Sequence, residues 1–152
     1  MEDERVKESS NWLQSLSKES HELEALSLHG LQILEARQGY ILCNFVVSNR
    51  ISDETGNWQV GALATLIDDV GATAIYSLVG HIKVSLDFSI SYFSPAKIHE
   101  EVEIEAKVIG EKGKLMFVLI EVRKKESGEL VALGKQWMAS NSITNGINSS
   151  KL

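Results

Sequence analysis

Two adjacent carboxylates, Asp68 and Asp69, sit in the middle of an almost wholly apolar run from Gln59 to Gly80. A helix that is apolar on every side is a buried one, and a carboxylate taken out of water without a partner costs several kcal/mol. Such a residue points to a solvated edge, accepts hydrogen bonds from a neighbouring element, or is kept for proton chemistry. Successive helix positions diverge by about 100°, so at most one of the pair faces a given pocket and the other takes a structural role. Competing chemistry is sparse. Cys43, the single cysteine, excludes an internal disulfide and lies in an alternating apolar pattern that reads as a core thiol. His21, His29, His81 and His99 are scattered, none at a catalytic spacing, and no metal-ligand pattern is present.

The chain has 152 residues, enough for one domain with a real core, and a formal charge of -6 without a dense Lys/Arg cluster, which argues against a nucleic-acid partner. The apolar run has the length of a membrane span, but two central aspartates at about 3 kcal/mol each oppose insertion, so no span is expected. The start, Met-Glu-Asp-Glu-Arg, lacks the apolar segment of a signal peptide. The other end carries an Asn/Ser-rich tail closing on Ser150, Lys151 and Leu152, the tripeptide read by the peroxisomal import receptor. The expectation is delivery to the peroxisome matrix.

The elements that must position the aspartates follow from periodicity. Residues 1–24 read as a helical extension, with Val6, Trp12, Leu13 and Leu16 at amphipathic spacing over 4–18 as a lid or packing helix. A domain is expected over 25–140 and a flexible tail over 141–152. Apolar residues at strand-like intervals over 31–36 and 40–47 flank Gln38-Gly39 as a hairpin, and Gly80 stops the long helix. Four strands are expected next. In the first, over 83–93, Val84, Leu86, Phe88, Ile90 and Tyr92 alternate with Ser85, Asp87, Ser89 and Ser91. Ser94-Pro95 breaks it. Strands over 102–108, 115–122 and 130–138 are joined by turns at Gly110-Glu111-Lys112-Gly113 and Ser127-Gly128. This is an α+β layout of hairpin, buried helix and antiparallel meander. One helix covers one face of a sheet, so the sheet is expected to curve around it and a second copy of the chain to cover what remains.

That layout resembles the hotdog fold, a curved antiparallel sheet wrapped around one long central helix. At residue level, Gly61-Ala62-Leu63-Ala64-Thr65-Leu66-Ile67-Asp68 together with Val84-Ser85-Leu86-Asp87 and Tyr92-Phe93-Ser94-Pro95-Ala96-Lys97 resembles the small acyl-CoA thioesterases of the phenylacetate-degradation type, nearest their superfamily member 13 branch. The resemblance covers about residues 25–140. It implies a homodimer or homotetramer that hydrolyses acyl-CoA with no further cofactor, the coenzyme A thioester being substrate. By resemblance Asp68 is the catalytic carboxylate, as general base on water or as nucleophile, and Ser85 positions the attacking water across a subunit interface. The free amides of the first helical turn, at Val60 and Gly61, can stabilise the oxyanion. For coenzyme A the resemblance implicates Asp87, Tyr92, Phe93, Ser94, Pro95, Ala96 and Lys97, and the turn Gly110, Glu111, Lys112, Gly113, Lys114 and Leu115. Lys97, Lys112 and Lys114 are suited to phosphate contacts.

The match departs from the family where the helix begins. Relatives place His-Gly-Gly there, whereas this chain has Gln59-Val60-Gly61, and glutamine carries no proton near neutral pH. The valine side chain crowds the approach to an amide that it leaves in place. The family's loop asparagine falls on Asp53, which only accepts hydrogen bonds when ionised, with Asn57 close enough to substitute. Besides a thioesterase, the sequence therefore allows a degenerate hotdog protein that binds acyl-CoA or a protein partner without turnover. A hydratase is disfavoured by the lack of an aspartate–histidine motif. Trp58 and Tyr76 either line the acyl pocket or fill core.

Overall fold

The computed structural model describes residues 2–19, 22–81 and 84–139; His21, the tail from Ser140 and the tripeptide Ser150, Lys151 and Leu152 lie outside them. The order is α1 (Glu2–Glu19), α2 (Glu22–Leu28), β1 (Gln32–Arg37), β2 (Tyr40–Val46), a single 3-10 turn (Asn49–Ile51), α3 (Val60–Val79), β3 (Val84–Tyr92), β4 (Glu101–Lys112), β5 (Leu115–Lys124) and β6 (Leu130–Ala139).

The long helix α3 has definite ends. Gln59 is extended, and its side-chain Oε1 accepts the amide of Ala62 at 2.9 Å. At the other end Gly80 adopts φ 82°, a left-handed conformation that glycine takes without steric cost, and its amide donates to the carbonyl of Tyr76 at 2.7 Å. Arg5 of α1 donates from Nη1 to the carbonyl of Leu78 at 3.0 Å, which brings positive charge to the negative end of the helix dipole. The helix is long and apolar enough to cross a membrane, yet most of it is buried within the protein.

All neighbouring strands are antiparallel, in the order β1-β2-β4-β5-β6-β3. Their inner face presents Ile41, Cys43, Phe45, Val102, Ile104, Ala106, Val118, Ile120 and Val122 to α3, all buried. Burial pushes the Cys43 thiol up to about 12, as expected of a core residue. On the far side of α3 lies α1, with Leu13 fully buried and the Trp12 and Tyr76 rings 6.0 Å apart. Tyr76 is therefore half-buried against α1. The expected architecture of a sheet wrapped around a central helix is present, and the helix is enclosed on its other side by α1 and α2.

Four details differ from the sequence reading. The short helix α2 follows α1, where only one helix was expected. The strands after α3 do not form a simple meander: β3 runs to the far edge beside β6, and the chain returns through residues 93–100 to β4. That return is pinned by backbone bonds from Phe93 to Val131, Trp58 to Ala96, Ile98 to Gly56 and His99 to Val47, which satisfy a segment with no sheet partner of its own. The β4–β5 turn is confined to Gly113-Lys114, so Gly110, Glu111 and Lys112 are strand residues. Finally, a bulge between Ser85 and Asp87 breaks the strict alternation expected of β3.

Two glycines let α3 approach the sheet. A Cβ on Gly134 would lie 2.6 Å from Cγ2 of Ile67, and one on Gly71 would lie 2.9 Å from Cδ1 of Ile120. Gly134→Ala is expected to destabilise the domain by about 1–3 kcal/mol, the usual cost of overpacking. Urea unfolding checks it: the midpoint falls with the slope preserved, and an unchanged midpoint contradicts the close approach.

Candidate active site

Asp68 projects from the third turn of α3 toward β6 and β3. Nε2 of Gln136 donates to its Oδ1 at 2.5 Å and also to Oγ of Ser85 at 2.8 Å. The bulge explains how Ser85 arrives there. Ser85 pairs with Met138 and Asp87 with Trp137, so Leu86 is the extra residue and Ser85 shares the inner face with Phe88. Burial raises the pKa of Asp68, while the hydrogen bonds from Gln136 and Ser85 hold it down. The result is a half-buried carboxylate with a serine hydroxyl beside it, an arrangement suited to accepting a proton from water.

Asp69 points elsewhere, as the helical offset requires. Only 7% of its surface is exposed, and its Oδ2 has no hydrogen-bond partner among the described residues. Burial pushes its pKa up to about 8, with the negative charges of Glu24 and Asp68 adding to the effect. The pair has thus separated into a partnered carboxylate and a carboxyl group largely protonated at neutral pH.

A second feature surrounds the first turn of α3. A cavity of about 330 Å³ is lined by Asp53, Asn57, Trp58, Val60, Leu63 and the segment from Tyr92 to Ala96. Trp58 both lines it and stacks on Phe45 at 5.3 Å, within the core. Asp53 is occupied in shaping the loop: Oδ1 accepts from the Thr55 amide (2.9 Å), the Thr55 hydroxyl (2.7 Å) and the Asn57 amide (3.0 Å), which keeps its pKa low. Asn57 spends one Nδ2 hydrogen on Thr55 at 3.1 Å and retains the other as a donor. Gln59 is committed by its oxygen to capping α3. The amides of Val60 and Gly61 are among those that no helix carbonyl can reach, and the Val60 side chain is 56% exposed beside them.

These two features do not meet within one chain. Gly61 and Asp68 are seven residues apart on α3, about 10.5 Å along the axis. Ser85 and Tyr92 are seven apart on β3, about 23 Å at full strand rise. A carbonyl in hydrogen-bond reach of the first-turn amides is thus out of reach of Asp68 in the same chain.

The expected coenzyme A residues divide in the same way. Tyr92, Phe93, Ser94, Pro95, Ala96 and the exposed Lys97 lie at the cavity end, with Asn57 bridging Lys97. Gly110, Glu111, Lys112, Gly113, Lys114 and Leu115 lie at the Ser85 end, because Leu115 pairs with Ala139 and Ala139 with Val84. Asp87, opposite Trp137, is on the outer face, away from Asp68. Gln136 is the site residue that the sequence reading missed. It is fully buried, and its Oε1 lacks a partner among the described residues, an omission that costs about 1–3 kcal/mol. Among the described residues no group of three or more His, Cys, Asp or Glu side chains could hold a metal ion.

Comparison with known proteins places the family and the fold. Residues 55–131 match the family model described as the thioesterase superfamily. The chain is 30% identical over 106 residues to acyl-coenzyme A thioesterase 13 of Homo sapiens, covering 69% of this chain and 76% of that protein. Among solved structures, zebrafish thioesterase superfamily member 2 superposes with a TM-score of 0.80 at 26% identity, covering 88% of this chain and 96% of that one. A hypothetical thioesterase from Streptococcus pneumoniae, solved with coenzyme A, shares the fold at a TM-score of 0.69 and 23% identity, over 73% of this chain and 88% of its own.

Asp69 makes stability depend on pH. Unfolded, its carboxyl titrates near 4; folded, it titrates at about 8. Between those values the folded state binds more protons, so this residue's contribution to stability declines as pH rises from about 4 to about 8 and then levels. Asp69→Asn removes that slope. Thermal melts at pH 5, 7 and 9 are expected to show the variant gaining on the wild type as pH rises, and a difference independent of pH contradicts the assignment.

Proposed function

The chain belongs to the thioesterase superfamily, and from that premise we propose that it hydrolyses acyl-CoA to a free acid and coenzyme A. The observation that carries the reading is Asp68, a half-buried carboxylate with raised pKa held beside Ser85. As general base it takes a proton from water while the water oxygen bonds to the thioester carbonyl carbon. The first-turn amides and Asn57 stabilise the oxyanion. Collapse breaks the carbon–sulfur bond, and the coenzyme A thiolate leaves with the proton that Asp68 took up. As direct nucleophile, the same carboxylate would form an anhydride that water then cleaves.

The separation of the two half-sites supports a dimer as the working unit. β3 is an edge strand with Val84 (45%), Leu86 (54%) and Phe88 (36%) exposed, and an unpaired apolar edge is a template for another strand. Pairing β3 antiparallel with β3 of a second copy sets the Ser85 end of one chain beside the Tyr92 end of the other. Asp68 and Ser85 of one copy then face the first turn and cavity of its partner, twice per dimer. The same pairing brings the Gly110–Leu115 hairpin of one copy toward Tyr92–Lys97 of the other, where Lys97, Lys112 and Lys114 can meet the phosphates of coenzyme A. The coenzyme A held by the Streptococcus pneumoniae relative is consistent with that ligand. A homotetramer would be two such dimers.

Binding without turnover is the second reading, favoured by one observation: the Gln59 oxygen caps the helix and the Asp53 carboxylate shapes its loop, so neither position supplies the proton-bearing group that a histidine would offer a thioester. A panel of acyl-CoA substrates read by thiol release separates the two. Hydrolysis is expected for at least one substrate, and Asp68→Asn is expected to lower it by at least 100-fold while the oligomer is retained. Acyl-CoA that raises the melting temperature without any thiol release would replace hydrolysis by binding.

Ser150, Lys151 and Leu152, where they stand free at the C-terminus, support import into the peroxisome matrix through its receptor. Removing the three residues from a fusion carrying an N-terminal fluorescent protein is expected to leave it cytosolic. An unchanged distribution would refute the targeting role.

A further inference from the structure

We infer that Gln136 is a positioning residue, whose carboxamide fixes the Asp68 carboxylate and the Ser85 hydroxyl in the one arrangement that delivers the proton of the attacking water to Oδ2 of Asp68. The inference rests on the hydrolytic reading of this site and specifies how the site is held.

Four features of the fold carry it. One nitrogen, Nε2, has two hydrogens, and both are used: one on Oδ1 of Asp68 at 2.5 Å, one on Oγ of Ser85 at 2.8 Å. The opposite amide orientation would press a carbonyl oxygen against a carboxylate oxygen, so Asp68 itself selects which end of the amide it meets. Because Ser85 accepts from Gln136, its own hydroxyl proton is left to donate, either to Asp68 or to a water beside it. Because Oδ1 already receives a hydrogen bond, Oδ2 is the atom left to take up a proton.

The remaining atom of the amide shows that the residue is not kept for core stability. Oε1 is buried with no partner among the described residues and lies over Gly71, where a Cβ would stand only 2.8 Å from it. An apolar side chain of similar length would fill the same space without an orphaned oxygen, and the absence of a side chain at Gly71 keeps room for the amide. Glutamine also does not titrate, so its hold on Asp68 persists at any pH where the domain is folded.

Gln136→Met keeps the length of the side chain and removes both donors. Assayed in the intact oligomer on the best substrate of the acyl-CoA panel, it is expected to lower kcat at least tenfold, leave KM within twofold and shift the acid limb of the kcat–pH profile upward. At acid pH, with Asp68 protonated, the thermal midpoint should hold or rise. A purely structural glutamine would give the opposite pattern, a lower midpoint with an unmoved acid limb, and kcat within twofold of wild type overturns the inference. The carboxyl carbon of Asp68 followed by NMR through a pH titration gives a readout independent of turnover: its midpoint should rise in Gln136→Met, and an unchanged midpoint overturns the positioning role. Should methionine disturb the core, Gln136→Leu, which also lacks both donors and adds no charge, is read in the same way, again with an upward shift expected. A wild-type protein that releases no thiol would refute hydrolysis, while the titration would still decide whether Gln136 holds Asp68.

Discussion

A helix of twenty residues without a continuous polar face cannot rest on a sheet as an amphipathic helix does; it has to be enclosed. Burial of α3 organises the other elements accordingly. The sheet covers one side through the buried residues of β2, β4, β5 and β6, and α1 covers the other with Leu13 and the Trp12–Tyr76 contact. The glycines at 71 and 134 set how closely helix and sheet approach. What this enclosure leaves uncovered in the single chain is informative: the first turn around Val60 and Gly61, and the β3 edge beyond Ser85. These are the parts that the dimeric thioesterase reading assigns to chemistry and to pairing.

The fixed rise of a helix then governs the chemistry. Amide donors at the beginning of α3 and a carboxylate two turns later ride on one rigid rod, so their separation cannot be adjusted by side-chain rotation. In the proposed dimer, two copies related by antiparallel β3 edges would resolve the mismatch by pairing the start of one helix with the middle of another. The two interior carboxyl groups are accommodated differently. Asp68 has Gln136, while Asp69, on the side away from it, is neutralised by holding a proton. The fold thereby removes the second charge without a second partner.

Much of this was legible in the sequence, because strong periodicity and punctuation specify elements directly. The apolar run ending at Gly80 defined α3, Gln38-Gly39 defined the first hairpin, and the aspartates at the centre of α3 marked the candidate site. Features that depend on tertiary context were not legible. Nothing in the alternation of Val84 to Tyr92 announces the bulge that turns Ser85 inward, since a bulge depends on the partner strand. The far-edge position of β3 depends on where the 93–100 segment finds its backbone partners. Asp53 falls on the family's loop asparagine, but only the folded loop reveals the three nearby donors that make it the organiser of that loop. Gln136 did leave a trace: in β6 it occupies the inner-face series with Ala132, Gly134 and Met138, where an amide must find a partner.

Subunit complementation tests the composite site most directly. Val60→Pro removes the first-turn amide at a helix position where proline is well tolerated, and Asp68→Asn removes the carboxylate. Each variant alone should be nearly inactive. Unfolded together and refolded as an equal mixture, they should form half heterodimers, each with one intact and one doubly defective site, and regain about a quarter of wild-type thiol release. Activity no greater than that of the separate variants, with heterodimers demonstrably formed, would contradict a site shared between two copies.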